Sequence, residues 1–191
     1  PPRSTLFPYT TLFRSLSKES FWGLKRSQMP EVEIGQRSGL SPAQSREFAQ
    51  LRKDTVHQME QLVHDEPVPG AIASLERAQA MGVNLVVMTM RRVRELDYAL
   101  ERYDLGRFFP ENRRYCLGND YVKTGDSKDK PKLMAAALKE LPPASQTWMV
   151  GDTEADIAAA RFGKVPAVGV LSGIRDREFH SKRQQIGRAH V

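Results

Sequence analysis

From Gly70 onward, short apolar runs and amphipathic stretches alternate along the chain, and this alternation constrains the fold more than any other feature. "VNLVVMT", "RYCLG", "QTWMVG" and "PAVGVL" are apolar runs without polar alternation. Such runs suit strands that are covered by helices on both faces, as in a parallel sheet. Between and around them lie "AIASLERAQAMG", "VRELDYALERYDL", "KPKLMAAALKEL", "EADIAAARFG" and "IRDREF", which read as helices. The expected class is therefore α/β, with one strand following each helix.

The chain before "PVPG" at residues 67 to 70 has a different character. "SKESFWGLKRS" reads as a short amphipathic helix, and the stretch around Pro30, Gly35 and Gly39 reads as a loop. A long helix then opens with Ser41 as N-cap and Pro42 at its first position. Its apolar residues fall at 48, 51, 56, 59, 62 and 63, with roughly helical spacing. The expected organisation is a helical block over residues 16–67 and an α/β core over 68–183.

The two ends do not read like the rest. "RSTLFPYTTLFRS" at residues 3 to 15 is nearly palindromic in its words, with no acid and no amphipathic period, and it resembles a translated sequencing adapter of the kind met in metagenome assemblies. The closing "IGRAHV" resembles the same contamination. Residues 1–15 and 184–191 are accordingly expected to be foreign or disordered. Setting aside Arg3, Arg14 and Arg188, with no acids lost, lowers the net charge from +6 to +3.

That charge matters for the exclusion of partner classes. The basic residues are dispersed, and the cluster "RRVR" at 91 to 94 has no interleaved aromatics, which argues against a nucleic-acid surface. No run approaches the length of a membrane span, and no signal peptide is recognisable. The single Cys116 forms no internal disulfide, and a cytoplasmic setting is expected. The four histidines are dispersed and complete no zinc set.

In a parallel α/β sheet, ligands bind beyond the carboxyl ends of the strands. The residues there form a chemical set. The first apolar run closes in Thr89, with Arg91 just beyond, and "QTWMVG" is followed by Asp152 and, one helical turn later, Asp156. Between them, "GDSKDKPKL" places Lys128 and Lys130 at a helix start. A hydroxyl and a lysine can hold phosphate oxygens, and loop carboxylates can hold a hard cation such as Mg²⁺. Together they supply the charge neutralisation and positioning that phosphoryl transfer needs. Arg91 is a candidate for a substrate anion.

On these residues the chain resembles the haloacid dehalogenase-like (HAD) hydrolase superfamily over about residues 16 to 179. "VVMTM" resembles its second motif, "KDKP" its third, and "VGDTEADIAAARFGKVPAVGV" its fourth with the helix and strand that follow. The resemblance implies a Rossmannoid three-layer sheet with a helical cap, as in phosphoglycolate phosphatase-like members. It implies Thr89 as the phosphate-binding hydroxyl, Lys128 or Lys130 as the balancing cation, and Asp152 and Asp156 as the acids at Mg²⁺. It also implies a small phosphorylated metabolite as substrate, and the basic cap around Trp22, Arg26, Arg37 and Arg46 suits an anionic one.

The spacing to Asp152 admits either lysine. The family's first motif, D-x-D-x-[TV], supplies its nucleophile on a central strand just before the cap, and no D-x-D occurs in this sequence. The expectation is a chain in which that first strand is missing or replaced, truncated and inactive as it stands. Activity is therefore undecided at this point. The alternative is a non-catalytic HAD-like protein that binds a phosphate-bearing ligand or a protein.

Overall fold

The computed structural model describes residues 16–55, 58–171, 173 and 175. The adapter-like ends and the expected "IRDREF" helix lie outside these residues, Arg175 excepted. The chain divides into two compact units, Pro1–Gln61 and Leu62–Val191.

The first unit is helical: α1 (Lys18–Arg26), α2 (Glu31–Arg37) and α3 (Pro42–Thr55), with the one-turn α4 (Met59–Leu62) at the division. Helix α1 starts on Ser17, whose hydroxyl accepts the Ser20 N–H at 3.1 Å. The start of α3 is a reciprocal cap: Ser41 Oγ accepts from the Gln44 N–H at 3.3 Å, and Gln44 Oε1 accepts from the Ser41 N–H at 3.0 Å.

The stretch expected to be a loop contains α2, which corrects that reading. Pro30 caps it, Glu31 and Glu33 lie in its first turn, and Arg37 lies in its last, so the charges complement the helix dipole. Gly35 weakens the local signal but serves packing, because a Cβ there would stand 3.0 Å from Ser45 Oγ of α3. Fully buried Ile34 and Ser45 mark the same contact.

The second unit runs α5 (Ala71–Ala80), β1 (Val87–Arg92), α6 (Val93–Arg102), β2 (Arg114–Leu117), α7 (Asp126–Glu140), β3 (Met149–Gly151), α8 (Glu154–Gly163) and β4 (Ala167–Gly169), with two short 3₁₀ turns before β2. All pairings are parallel, as the unalternated apolar runs imply. Among the described residues they form two pairs, β1 with β2 and β3 with β4.

The two pairs share a core on one helical layer. Met134 of α7, Met149 of β3, and Ala159 and Ala160 of α8 are buried together, with Met88 of β1, Val165 and Ala167 against them. Alanines on α8 allow it to lie close to α7, since small side chains let helix backbones approach. Strand β1 continues beyond Thr89 to Arg92, with a register irregularity between Met88 and Arg92. Thr89 thus lies within the strand, not at its end. No helix among the described residues is long and apolar enough to cross a membrane.

Candidate active site

Strand β3 ends in Gly151, and the chain turns at once into Asp152, Thr153 and the first turn of α8. Asp156, 6% exposed, organises this turn. Its Oδ2 accepts from the Asp152 N–H at 3.2 Å, the Thr153 N–H at 3.0 Å and the Thr153 hydroxyl at 2.8 Å. Its Oδ1 accepts from Lys130 Nζ, in an ion pair that both side chains bury almost completely. Four donors therefore meet this one carboxylate and satisfy its hydrogen-bonding capacity where an unpaired buried group would be penalised.

The approach is close enough to exclude a side chain at residue 151. A Cβ on Gly151 would overlap the Asp156 carboxyl group, and one on Gly173 would overlap the Asp152 side chain. Gly173 is therefore seated on the half-buried Asp152. Two residues further on, Arg175 grips Glu154 in the first turn of α8, Nε donating at 3.0 Å and Nη2 at 2.9 Å to its two carboxylate oxygens. Arg175 is 8% exposed. A planar guanidinium suits such a two-point grip, which a lysine cannot reproduce.

The two lysines that the spacing leaves open have different surroundings. Lys130 is buried and meets Asp156, whereas Lys128 is exposed. Between them, Asp129 is 1% exposed and accepts from Thr124, Gly125, Tyr121 and Lys132. These hydrogen bonds, those of Thr124 foremost and then Lys132, hold its carboxyl well below the usual carboxylate range.

Thr89 is half-buried, and its hydroxyl oxygen accepts the Arg91 N–H at 3.2 Å. Its neighbour Met88 reaches the shared core, so β1 meets the acid loop's supports through packing. Arg91 turns toward the segment after α4, where Nη2 pairs with Asp65 Oδ2 at 2.5 Å. The same residue's carbonyl accepts from the Tyr103 hydroxyl at 2.5 Å. Cys116 lies elsewhere, beside α6, where burial, and secondarily Asp97, pushes its thiol up.

The structure thus brings Lys130, Asp152 and Asp156 together at the carboxyl end of β3. It leaves Lys128 at the surface and holds Arg91 on Asp65. Among the described residues no three His, Cys, Asp or Glu side chains converge as a closed metal cage. Asp156 is buried and met by four donors, while Asp152 is half-buried on the loop; Mg²⁺ takes one or two carboxylates and completes its shell with waters and phosphate oxygens.

Sequence reasoning missed Asp129, Glu154 and the close approach at Gly151 as supports of this site. The "KDKPK" run reads as solvated charge, and only the folding of residues 121–125 over it buries Asp129. Gly151 directly before an acid was the legible signal, since a glycine at a strand end often marks a close approach.

A phosphoglycolate phosphatase from Pseudomonas syringae pv. syringae (strain B728a) is 32% identical over 106 residues, 55% of this chain and 37% of that protein. The phosphoglycolate phosphatase of Agrobacterium fabrum (strain C58 / ATCC 33970) is 26% identical over 168 residues, 85% of this chain and 62% of its own length. The chain therefore spans less than two thirds of either relative. The crystal structure of a predicted phosphatase from Clostridium acetobutylicum has the same fold at a TM-score of 0.60 and 18% identity, covering 82% of this chain and 70% of that one. The family model for haloacid dehalogenase-like hydrolases matches residues 15–163, which takes in both units, the acid loop and Lys130, and the chain belongs to that family.

Proposed function

We propose that this chain carries the phosphate and Mg²⁺ site of a phosphomonoester hydrolase acting on a small, anionic phosphorylated metabolite. The observation that carries this reading is the buried Lys130–Asp156 pair beside Asp152 at the end of a parallel strand. Support comes also from the relatives, which are phosphoglycolate phosphatases.

In this reading Asp152 holds Mg²⁺, and Asp156 fixes the loop that presents it. Lys130 supplies positive charge to the phosphate, and Thr89 donates its hydroxyl to a phosphate oxygen. When bound, Mg²⁺ supplies charge neutralisation of the phosphoryl group. The helical first unit is the cap that selects the leaving group, with Trp22, Arg26, Arg37 and Arg46 on it. The setting is cytoplasmic.

No residue of this chain is assigned as nucleophile, because a phosphoryl-accepting aspartate in a D-x-D pair is absent from the sequence. The 191 residues by themselves therefore bind without turnover. That same absence favours a second reading, in which the protein is a non-catalytic binder of phosphate-bearing ligands.

Thermal unfolding with Mg²⁺, inorganic phosphate and both together tests the site. A ligand at about a hundredfold its Kd adds ~2.7 kcal/mol to the folded state, so both together should raise Tm clearly above either alone. An unchanged Tm would overturn both readings. Hydrolysis of 2-phosphoglycolate or p-nitrophenyl phosphate by these residues should be absent under either reading; turnover that is lost in Asp152→Asn would overturn the non-catalytic reading and the absence of a nucleophile.

A further inference from the structure

Helix α7 carries Lys130 directly after its first turn, in which the Lys128 and Asp129 N–H groups both donate to the Gly125 carbonyl at 2.9 Å. Its N-cap is Gly125, whose φ of 132° suits glycine and which has no side chain to cap a helix. Pro131, inside the helix, has no N–H to give to the carbonyl of Ser127. Beyond these two backbone bonds, the start of the helix is fastened by a side chain.

Asp129 supplies it. Its Oδ2 accepts the Thr124 N–H at 2.7 Å and the Gly125 N–H at 3.2 Å, two donors that no helical carbonyl serves. Its Oδ1 accepts from the Thr124 hydroxyl at 2.6 Å, the Tyr121 hydroxyl at 2.8 Å and Lys132 Nζ at 2.9 Å. Lys132 closes the ring by donating to Tyr121 Oη at 3.0 Å. The carboxylate at the start of the helix is also favoured by the helix dipole.

Consecutive residues of an α-helix point about 100° apart, and residues three apart share a face. Fixing Asp129 against residues 121–125 therefore fixes where Lys130 points, and Lys132 returns to the Asp129 side, as observed. We propose that Asp129 is a positioning residue for Lys130: its clasp on Thr124, Gly125 and Tyr121 sets the rotation of α7 that delivers Lys130 to Asp156. The proposal deepens the phosphate-site reading above and rests on it for the role of Lys130, but not for its position.

Competitive acetylation of lysines in the full chain, read by mass spectrometry, tests this without any ligand. Lys128, exposed two residues away, is the internal reference. In the wild type the Lys130 to Lys128 labelling ratio should be low. In Asp129→Ala it should rise about tenfold or more, the population shift expected for losing buried hydrogen bonds. Asp129→Asn keeps one acceptor oxygen and should give an intermediate ratio. Asp126→Asn, which removes an exposed acid from the same turn, should leave it unchanged.

Should Asp129→Ala fail to fold, Asp129→Asn and Thr124→Val carry the test. Ratios within about twofold of wild type in every variant that circular dichroism shows to be folded would overturn the proposal, since local opening would not then depend on the clasp. The phosphate reading fails separately. A wild type indifferent to phosphate and Mg²⁺, with Lys130 freed in Asp129→Ala, would leave the positioning intact and remove the ligand.

Discussion

The Asp156 carboxyl group occupies the space that a Cβ on Gly151 would need. A glycine at the end of β3 is therefore what allows the acid to fold back and accept from Asp152 and Thr153.

Gly151→Ala should destabilise the protein by about 1–3 kcal/mol, the usual cost of overpacking, and weaken any Mg²⁺ effect on Tm. Gly118→Ala, where a Cβ meets nothing within 4 Å, is the matched control. Urea denaturation of both variants reads the difference, and equal midpoints would contradict the close approach.

Lys130→Ala leaves Asp156 buried with three neutral donors but no cation. Breaking a buried pair on one side costs about 3–5 kcal/mol, whereas Lys128→Ala at the surface should stay within about 0.5 kcal/mol. The exposed Arg107–Glu76 pair, at 2.9 Å, should behave like Lys128 and be screened by salt.

Asp129 titrates below its ordinary value of 3.8 when folded. A depressed pKa means that the unfolded chain takes up the proton first as pH falls. Its stabilisation is thus fully present above about pH 4 and is lost progressively below that, through the folded pKa. Urea midpoints measured from pH 6 down to the acid limit should fall more steeply in the wild type than in Asp129→Asn. Parallel curves would argue against the clasp.

Arg175→Lys keeps the charge but loses the two-point grip on Glu154. It should cost about 1–2 kcal/mol, close to the cost of Arg175→Ala, since the bonds to a charged partner carry the effect. Stability fully kept by lysine would show that charge alone suffices.

Parallel pairing could be read from unalternated apolar runs, and helix starts from Ser17, Ser41 and the acids of α8. Helix α2 was hidden because Pro30, Gly35 and Gly39 carry breaker signals, while its actual support is the packing of Gly35 against Ser45. The end of β1 was misjudged because Arg91 and Arg92 look like loop residues; Arg92 instead spends its guanidinium on the carbonyls of Gly118 and Asn119.

The sequence by itself determined that Asp152 and Asp156 follow directly on β3 at the start of a helix, because strand and helix periods are local and the acid spacing of four is one helical turn. Only the tertiary structure paired Lys130 with Asp156 while leaving Lys128 exposed, turned Arg91 to Asp65 and buried Asp129. Those outcomes depend on which way a helix is rotated when it packs, and that rotation is set by contacts between segments distant in sequence.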